Sequence, residues 1–144
     1  MSPATAVAPV AAKRLPQTSR AFEAAFEPEP VCVGRARRIT TAFLGLWHVS
    51  GPLADNIVLV VSELVSNAVE HGAGDVVLRV RYPDDEIRIE VTDGNPAPAT
   101  RRYAGDDDVS GRGLLLVTVL ARKWGVINDG RTTWATFRVP SRRP

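Results

Sequence analysis

The chain has 144 residues, of which 44% are hydrophobic, 24% charged and 6% aromatic, enough for one domain around one shared core and too few for several. That composition excludes a fibrous or wholly disordered chain, and no run approaches the ~18 apolar residues of a membrane span. The formal net charge is +2, yet positions 21 to 137 hold 12 basic and 16 acidic residues, so no cationic groove for nucleic acid is expected on the folded part.

Residues 1–19 are rich in alanine and proline and show no apolar period, which predicts a disordered, basic tail. They lack the order of a signal peptide, so a soluble, cytoplasmic protein is expected, with no membrane partner. The folded domain is placed at 20–140, and 141–144 form a second basic tail. Residues 20–26 read as a first strand, and Pro28 and Pro30 then delay a helix until Gly34 or Arg35. Ala36, Ile39, Phe43, Leu46 and Trp47 follow the helical period, with Arg35, Arg37 and Arg38 on the facing side. Cys32, the single cysteine, has no metal-ligand spacing and reads as a small buried hydrophobe.

Residues 54–71 predict a helix apolar almost all round, hence buried on most sides. Within it Glu63, Asn67 and His71 stand at i, i+4 and i+8 and share one line of its surface, a stripe facing either solvent or a site. Two alternating runs follow, with Val76, Leu78, Val80 and Tyr82 on one face, then Ile87, Ile89 and Val91, joined by Pro83-Asp84-Asp85. They predict an antiparallel hairpin over a core. The period of two carries Asp93 onto the core side, where a buried carboxylate needs a partner; the alternative is that Asp93 only opens a turn.

Residues 94–110 read as a long loop closing on Ser110-Gly111-Arg112-Gly113, just before a helical run at 114–123. Glycines at a helix start leave backbone N–H groups free for an anion such as phosphate, although a plain loop explains them too. Residues 124–128 and 132–139 predict a second hairpin around Asp129-Gly130, with Thr133, Ala135, Phe137 and Val139 on one face.

In this order, Glu63-Leu64-Val65-Ser66-Asn67-Ala68-Val69-Glu70-His71, then Asp93-Gly94, then Gly111-Arg112-Gly113-Leu114 resemble the ATP-binding domain shared by histidine kinases, type II topoisomerases and anti-sigma-factor serine kinases. The resemblance covers about residues 20 to 140 and is nearest to the short bacterial anti-sigma kinases. It implies a two-layer α+β sandwich, a mostly antiparallel mixed sheet covered on one face by about three helices, the Bergerat ATP-binding fold. It implies ATP and Mg as cofactors, with Asn67 on the Mg ion and Glu63 as the catalytic base. Asp93 would bind the adenine amine, Gly94, Gly111, Arg112, Gly113 and Leu114 would border the nucleotide, and Thr133 would be a second adenine contact. The implied function is a serine/threonine protein kinase that regulates transcription by switching between a sigma factor and an anti-anti-sigma protein, its phosphoacceptor, with a homodimer allowed.

The family pattern Asp-x-Gly-x-Gly is Asp93-Gly94-Asn95-Pro96-Ala97 here, so both later glycines are missing. Glu63 favours the kinase; the missing glycines favour a second reading, a catalytically silent, nucleotide-gated protein-binding module.

Overall fold

The computed structural model describes residues 11–14, 20–94 and 109–140, the backbone alone at 11–14 and 109–113. Its elements are β1 (Ala11–Arg14), β2 (Arg20–Phe26), α1 (Val31–Leu46), α2 (Gly51–His71), β3 (Val76–Tyr82), β4 (Glu86–Thr92), α3 (Val109–Leu120), β5 (Lys123–Ile127) and β6 (Thr132–Arg138). The strands form one sheet in the order β1-β2-β3-β4-β6-β5, and every described pairing is antiparallel. Three helices and this sheet make an α+β sandwich, as the resemblance implied.

The alternating hairpins dictate where the core lies. Val76, Leu78 and Val80 of β3 and Ile87, Ile89 and Val91 of β4 are all buried, so the two strands turn one apolar face inward. Val80 stands opposite Ile89 and Leu78 opposite Val91, and a slip of one residue would turn both rows to water. Against this face lies α2, whose Ile57, Val60, Val61, Leu64, Val65 and Ala68 are buried, as expected of a helix apolar almost all round. Its 21 residues are long and apolar enough to cross a membrane, but here they form the central helix of the core. Phe22, Phe43 and Trp47 close the other end of the core, with the Phe22 and Phe43 rings stacked at 4.5 Å.

Several expectations are corrected. Ala11–Arg14, inside the tail expected to be disordered, pair with Ala25 to Phe22 and extend the sheet; backbone pairing with an open strand edge needs no apolar period. Helix α1 starts at Val31 rather than near Gly34, because Pro30 sits at its N-cap with helical torsions instead of breaking the chain. Leu46, assigned to its core face, is 54% exposed, whereas Cys32, Thr40 and Leu44 are buried with Ala36. Helix α3 begins at Val109 and ends at Leu120, so Gly111-Arg112-Gly113 lie within its first turns rather than ahead of it, and Lys123 opens β5. The second hairpin turns through Asn128 and Asp129, both at positive φ (57° and 56°), and closes with the Gly130 N–H donating to the Ile127 carbonyl at 3.2 Å. Two central residues of that hand give the turn that matches strand twist.

The sheet's outer face carries paired charges. Arg79 pairs with Glu23 at 2.8 Å and lies 3.8 Å from Glu90, Arg88 pairs with Glu90 at 2.8 Å, and Arg122 reaches Glu86 at 3.2 Å. The Arg88 guanidinium also covers the Trp134 ring at 4.5 Å. An antiparallel sheet with helices on one side and water on the other takes this pattern.

Candidate functional site

Of the predicted site residues, Asp93 and Gly94 sit where the C-terminal end of α2 meets the end of β4. Asp93, one residue past β4, is only 6% exposed, so the period of two that carries it inward outlasts the strand. Its N–H donates to the Arg131 carbonyl at 2.9 Å, which holds the chain beside the start of β6. The next N–H, of Gly94, donates to the Ala73 carbonyl at 2.6 Å and ties β4 directly to the residues that end α2. A Cβ on Gly94 would stand 2.8 Å from that carbonyl oxygen, too close for any side chain.

Gly72 closes the same junction from the helix side. Its φ is −87°, open to any residue, so conformation does not demand glycine here. Space does: a Cβ would stand 2.6 Å from Asp93 Cγ and 2.8 Å from Oδ2. The sequence marks Gly72-Ala73-Gly74 only as a break, and no periodicity shows that the first glycine makes room for a carboxylate.

On α2, five residues before Gly72, Asn67 is buried, and among the described residues its amide Nδ2 has no hydrogen-bond partner. A buried polar group left unpaired costs about 1–3 kcal/mol, a cost that a bound acceptor or a water would remove. Glu63, one turn earlier, is half-buried, and the spacing of four residues keeps the two side chains along one line of the helix. His71 is half-buried as well, its Nε2 lying 3.4 Å from the neighbouring Glu70 carboxylate.

Thr133, inward on β6, is buried and stands opposite Val91, two residues before Asp93 on the same face. Sequence reasoning missed its neighbour Thr132, buried on the outer side, whose hydroxyl lies 2.8 Å from that of Thr92 and accepts the Asn128 amide at 3.0 Å. These bonds lock the β6 start against β4. Leu114 is buried in α3, which packs on α2. The backbone of Gly111, Arg112 and Gly113 runs through the start of that helix, but Asn95, Pro96 and Ala97 lie outside the described residues.

The arrangement thus offers a buried carboxylate at one end of a helix–strand junction and, one to two turns back along the helix, an amide and a second carboxylate. Among the described residues no three His, Cys, Asp or Glu side chains cluster to hold a metal ion. A search of curated proteins finds no match to the chain. The model of the histidine kinase-like ATPase domain matches residues 26–138, from the last residue of β2 to the last of β6, and the chain belongs to that family.

Proposed function

We propose that this protein is a bacterial serine/threonine kinase of the anti-sigma type, binding Mg-ATP and regulating transcription by exchanging a sigma factor for an anti-anti-sigma protein. Membership of the ATPase domain family implies the nucleotide. The observation that carries the residue assignment is the orphaned, buried amide of Asn67 on the helix that ends against buried Asp93.

In this reading the Asp93 carboxylate accepts a hydrogen bond from the exocyclic amine of adenine, with Thr133 beside it, and Gly94, small because it packs on the Ala73 carbonyl, borders the base. The Asn67 amide, turned to present its oxygen, would supply one neutral ligand to Mg²⁺ held by the triphosphate. The bound ion supplies charge neutralisation to the triphosphate. Glu63, one turn away, accepts the proton of the attacking serine hydroxyl. Gly111, Arg112, Gly113 and Leu114 border the phosphates at the α3 start.

The second reading, a silent nucleotide-gated binding module, draws support from Asn95-Pro96-Ala97, which replaces the family's flexible glycines. Both readings are tested by measuring ATP affinity and γ-phosphate transfer to an anti-anti-sigma acceptor in wild type, Glu63→Gln and Asn67→Ala. The kinase reading expects Glu63→Gln to bind ATP normally but lose ~10²–10⁴-fold in transfer, and Asn67→Ala to lose Mg-dependent binding. Equal transfer by wild type and Glu63→Gln removes Glu63 as the base. Nucleotide binding without transfer to any acceptor leaves the binding module standing.

A further inference from the structure

Asp93 is held from two sides. On the helix side its carboxylate packs directly on Gly72, and on the sheet side its N–H donates to the Arg131 carbonyl at 2.9 Å. Arg131 closes the turn that joins β5 to β6, and its own N–H donates to the Asn128 carbonyl at 3.1 Å. Its backbone is thus bonded to the turn on one side and to Asp93 on the other, so the place of the carboxylate depends on the shape of that turn.

Side chains fix this shape. Asn128 and Asp129 stand at φ 57° and 56°, the left-handed region that asparagine and aspartate tolerate better than other L-residues. The Asn128 amide also donates to the Thr132 hydroxyl oxygen at 3.0 Å, and that hydroxyl lies 2.8 Å from the hydroxyl of Thr92. An amide N–H occupies one lone pair of the Thr132 oxygen and leaves its proton available to Thr92, so the three groups join into one chain from the turn to the last residue of β4. Thr132 is 2% exposed and stands opposite Thr92 on one side and Ile127 on the other, which places it between β4 and β5.

These side chains lie on the wrong face of the sheet to touch a base at Asp93. Alternation along β4 and β6 turns Thr92 and Thr132 outward, whereas Asp93 and Thr133 face the helices. Their influence on the carboxylate must pass through the backbone, from Thr92 to the adjoining Asp93 and from Thr132 to the adjoining Arg131. A hydrogen bond weakens steeply as donor and acceptor move out of line, so a small shift of this backbone matters.

We propose that Asn128, Thr132 and Thr92 are positioning residues for base recognition, their hydrogen-bond chain on the outer face holding Asp93 where its carboxylate meets the exocyclic amine of adenine. The proposal rests on the reading of Asp93 as the adenine ligand and assigns the residues that set its selectivity without contacting the nucleotide.

The test compares ATP with purine riboside triphosphate, which lacks the exocyclic amine, by calorimetry on the full chain with Mg²⁺. The ratio of the two affinities reads the amine contact: a general loss of stability or of phosphate binding weakens both nucleotides alike and leaves the ratio unchanged. In wild type the ratio should be about tenfold or more, as for a hydrogen bond to a charged group. Thr132→Val keeps the branched shape and removes both hydroxyl bonds, and the ratio should fall by roughly threefold or more, the coupling expected of groups in one network. Thr132→Ser keeps the hydroxyl and should restore the ratio toward the wild-type value. Asn128→Gly keeps the left-handed turn, removes only the amide and should lower the ratio in the same direction, which preserves the test if Thr132→Val does not fold. An unchanged ratio in either of these two variants, once folded, overturns the proposal and leaves the Asp93 reading intact. A Thr132→Ser ratio as low as that of Thr132→Val also overturns it, because the effect then belongs to packing rather than to the hydroxyl. A wild-type ratio near one overturns the adenine reading of Asp93 and this proposal with it.

Discussion

The Asp93 carboxylate occupies the space that a side chain at Gly72 would need, its Oδ2 lying 2.8 Å from where a Cβ would stand. The end of the helix that carries Glu63 and Asn67 is thereby fitted to the carboxylate assigned to adenine. Gly72→Ala would also press on the Ala68 carbonyl, a backbone group that cannot swing aside. Overpacking of this kind costs about 1–3 kcal/mol, so the variant should melt lower and bind ATP more weakly. A Gly72→Ala protein with wild-type melting temperature and ATP affinity would show that the junction has slack.

Thr40 is fully buried in α1, and among the described residues its hydroxyl has no hydrogen-bond partner. Thr40→Val keeps the branched shape, and the two residues have similar helix propensity. Replacing an orphaned hydroxyl by a methyl group removes a desolvation cost of about 1 kcal/mol or more. Thermal unfolding should shift upward by roughly 3–5 °C; a downward shift would mean that the hydroxyl is satisfied in solution.

The hairpins and the core helix were legible because burial writes periods of two and of about four into the sequence. Asp93 is the clearest gain, since continuing the alternation of Ile87, Ile89 and Val91 already sends a carboxylate inward. Features that rest on backbone or on space left no such trace. Ala11–Arg14 join the sheet through main-chain bonds that any residue supplies, Gly72 matters for an atom it lacks, and Pro30 reads as a breaker until its N-cap torsions are seen. Three arginines on α1 were legible as a charged helix face; that none of them forms an ion pair among the described residues depends on what the fold brings near them.

His48 ends α1 in the left-handed region at φ 61°. Its N–H donates to the Gly45 carbonyl at 3.1 Å and the Val49 N–H to the Leu44 carbonyl at 2.8 Å, the paired bonds of a helix stop that favours glycine at this residue. A left-handed L-residue costs roughly 1–2 kcal/mol relative to its preferred conformation, and the exposed imidazole has little packing to lose. His48→Gly should therefore raise stability by about 0.5–1 kcal/mol, read from denaturant midpoints, and His48→Val should lower it. The reverse order would show that the imidazole makes a stabilising contact at the helix end.

Burial pushes the Cys32 thiol above its ordinary value, outweighing a backbone hydrogen bond from the Glu29 region and the Arg35 charge, which pull it down. A thiol that ionises more readily unfolded than folded contributes stability that is complete below its unfolded pKa of about 8.5. That contribution is lost as pH rises through the unfolded value toward the folded one. Stability measured by urea from pH 7 to 10 should fall more in wild type than in Cys32→Ala, and native Cys32 should resist thiol reagents at pH 8. Parallel pH profiles in the two proteins would show that burial leaves the thiol unperturbed.

Asp93→Asn tests the adenine assignment with little change in shape. The carboxylate is buried beside Gly72, and Asn has nearly its size, so folding should survive and a melting curve can verify it. A carboxylate accepts from the adenine amine, whereas guanine presents a carbonyl oxygen at that position and would face it with like polarity. Charge-assisted hydrogen bonds contribute about 1.5–3 kcal/mol, which corresponds to roughly 10- to 150-fold in ATP affinity. An amide can donate as well as accept, so the variant should bind ATP more weakly by that factor and lose most of its preference over GTP. Calorimetry is the direct measurement, because it reads affinity without requiring phosphotransfer. If folded Asp93→Asn binds ATP as tightly as wild type and still rejects GTP, Asp93 is confined to holding the end of β4 against Arg131 and Gly72, and base recognition must be sought elsewhere in the junction.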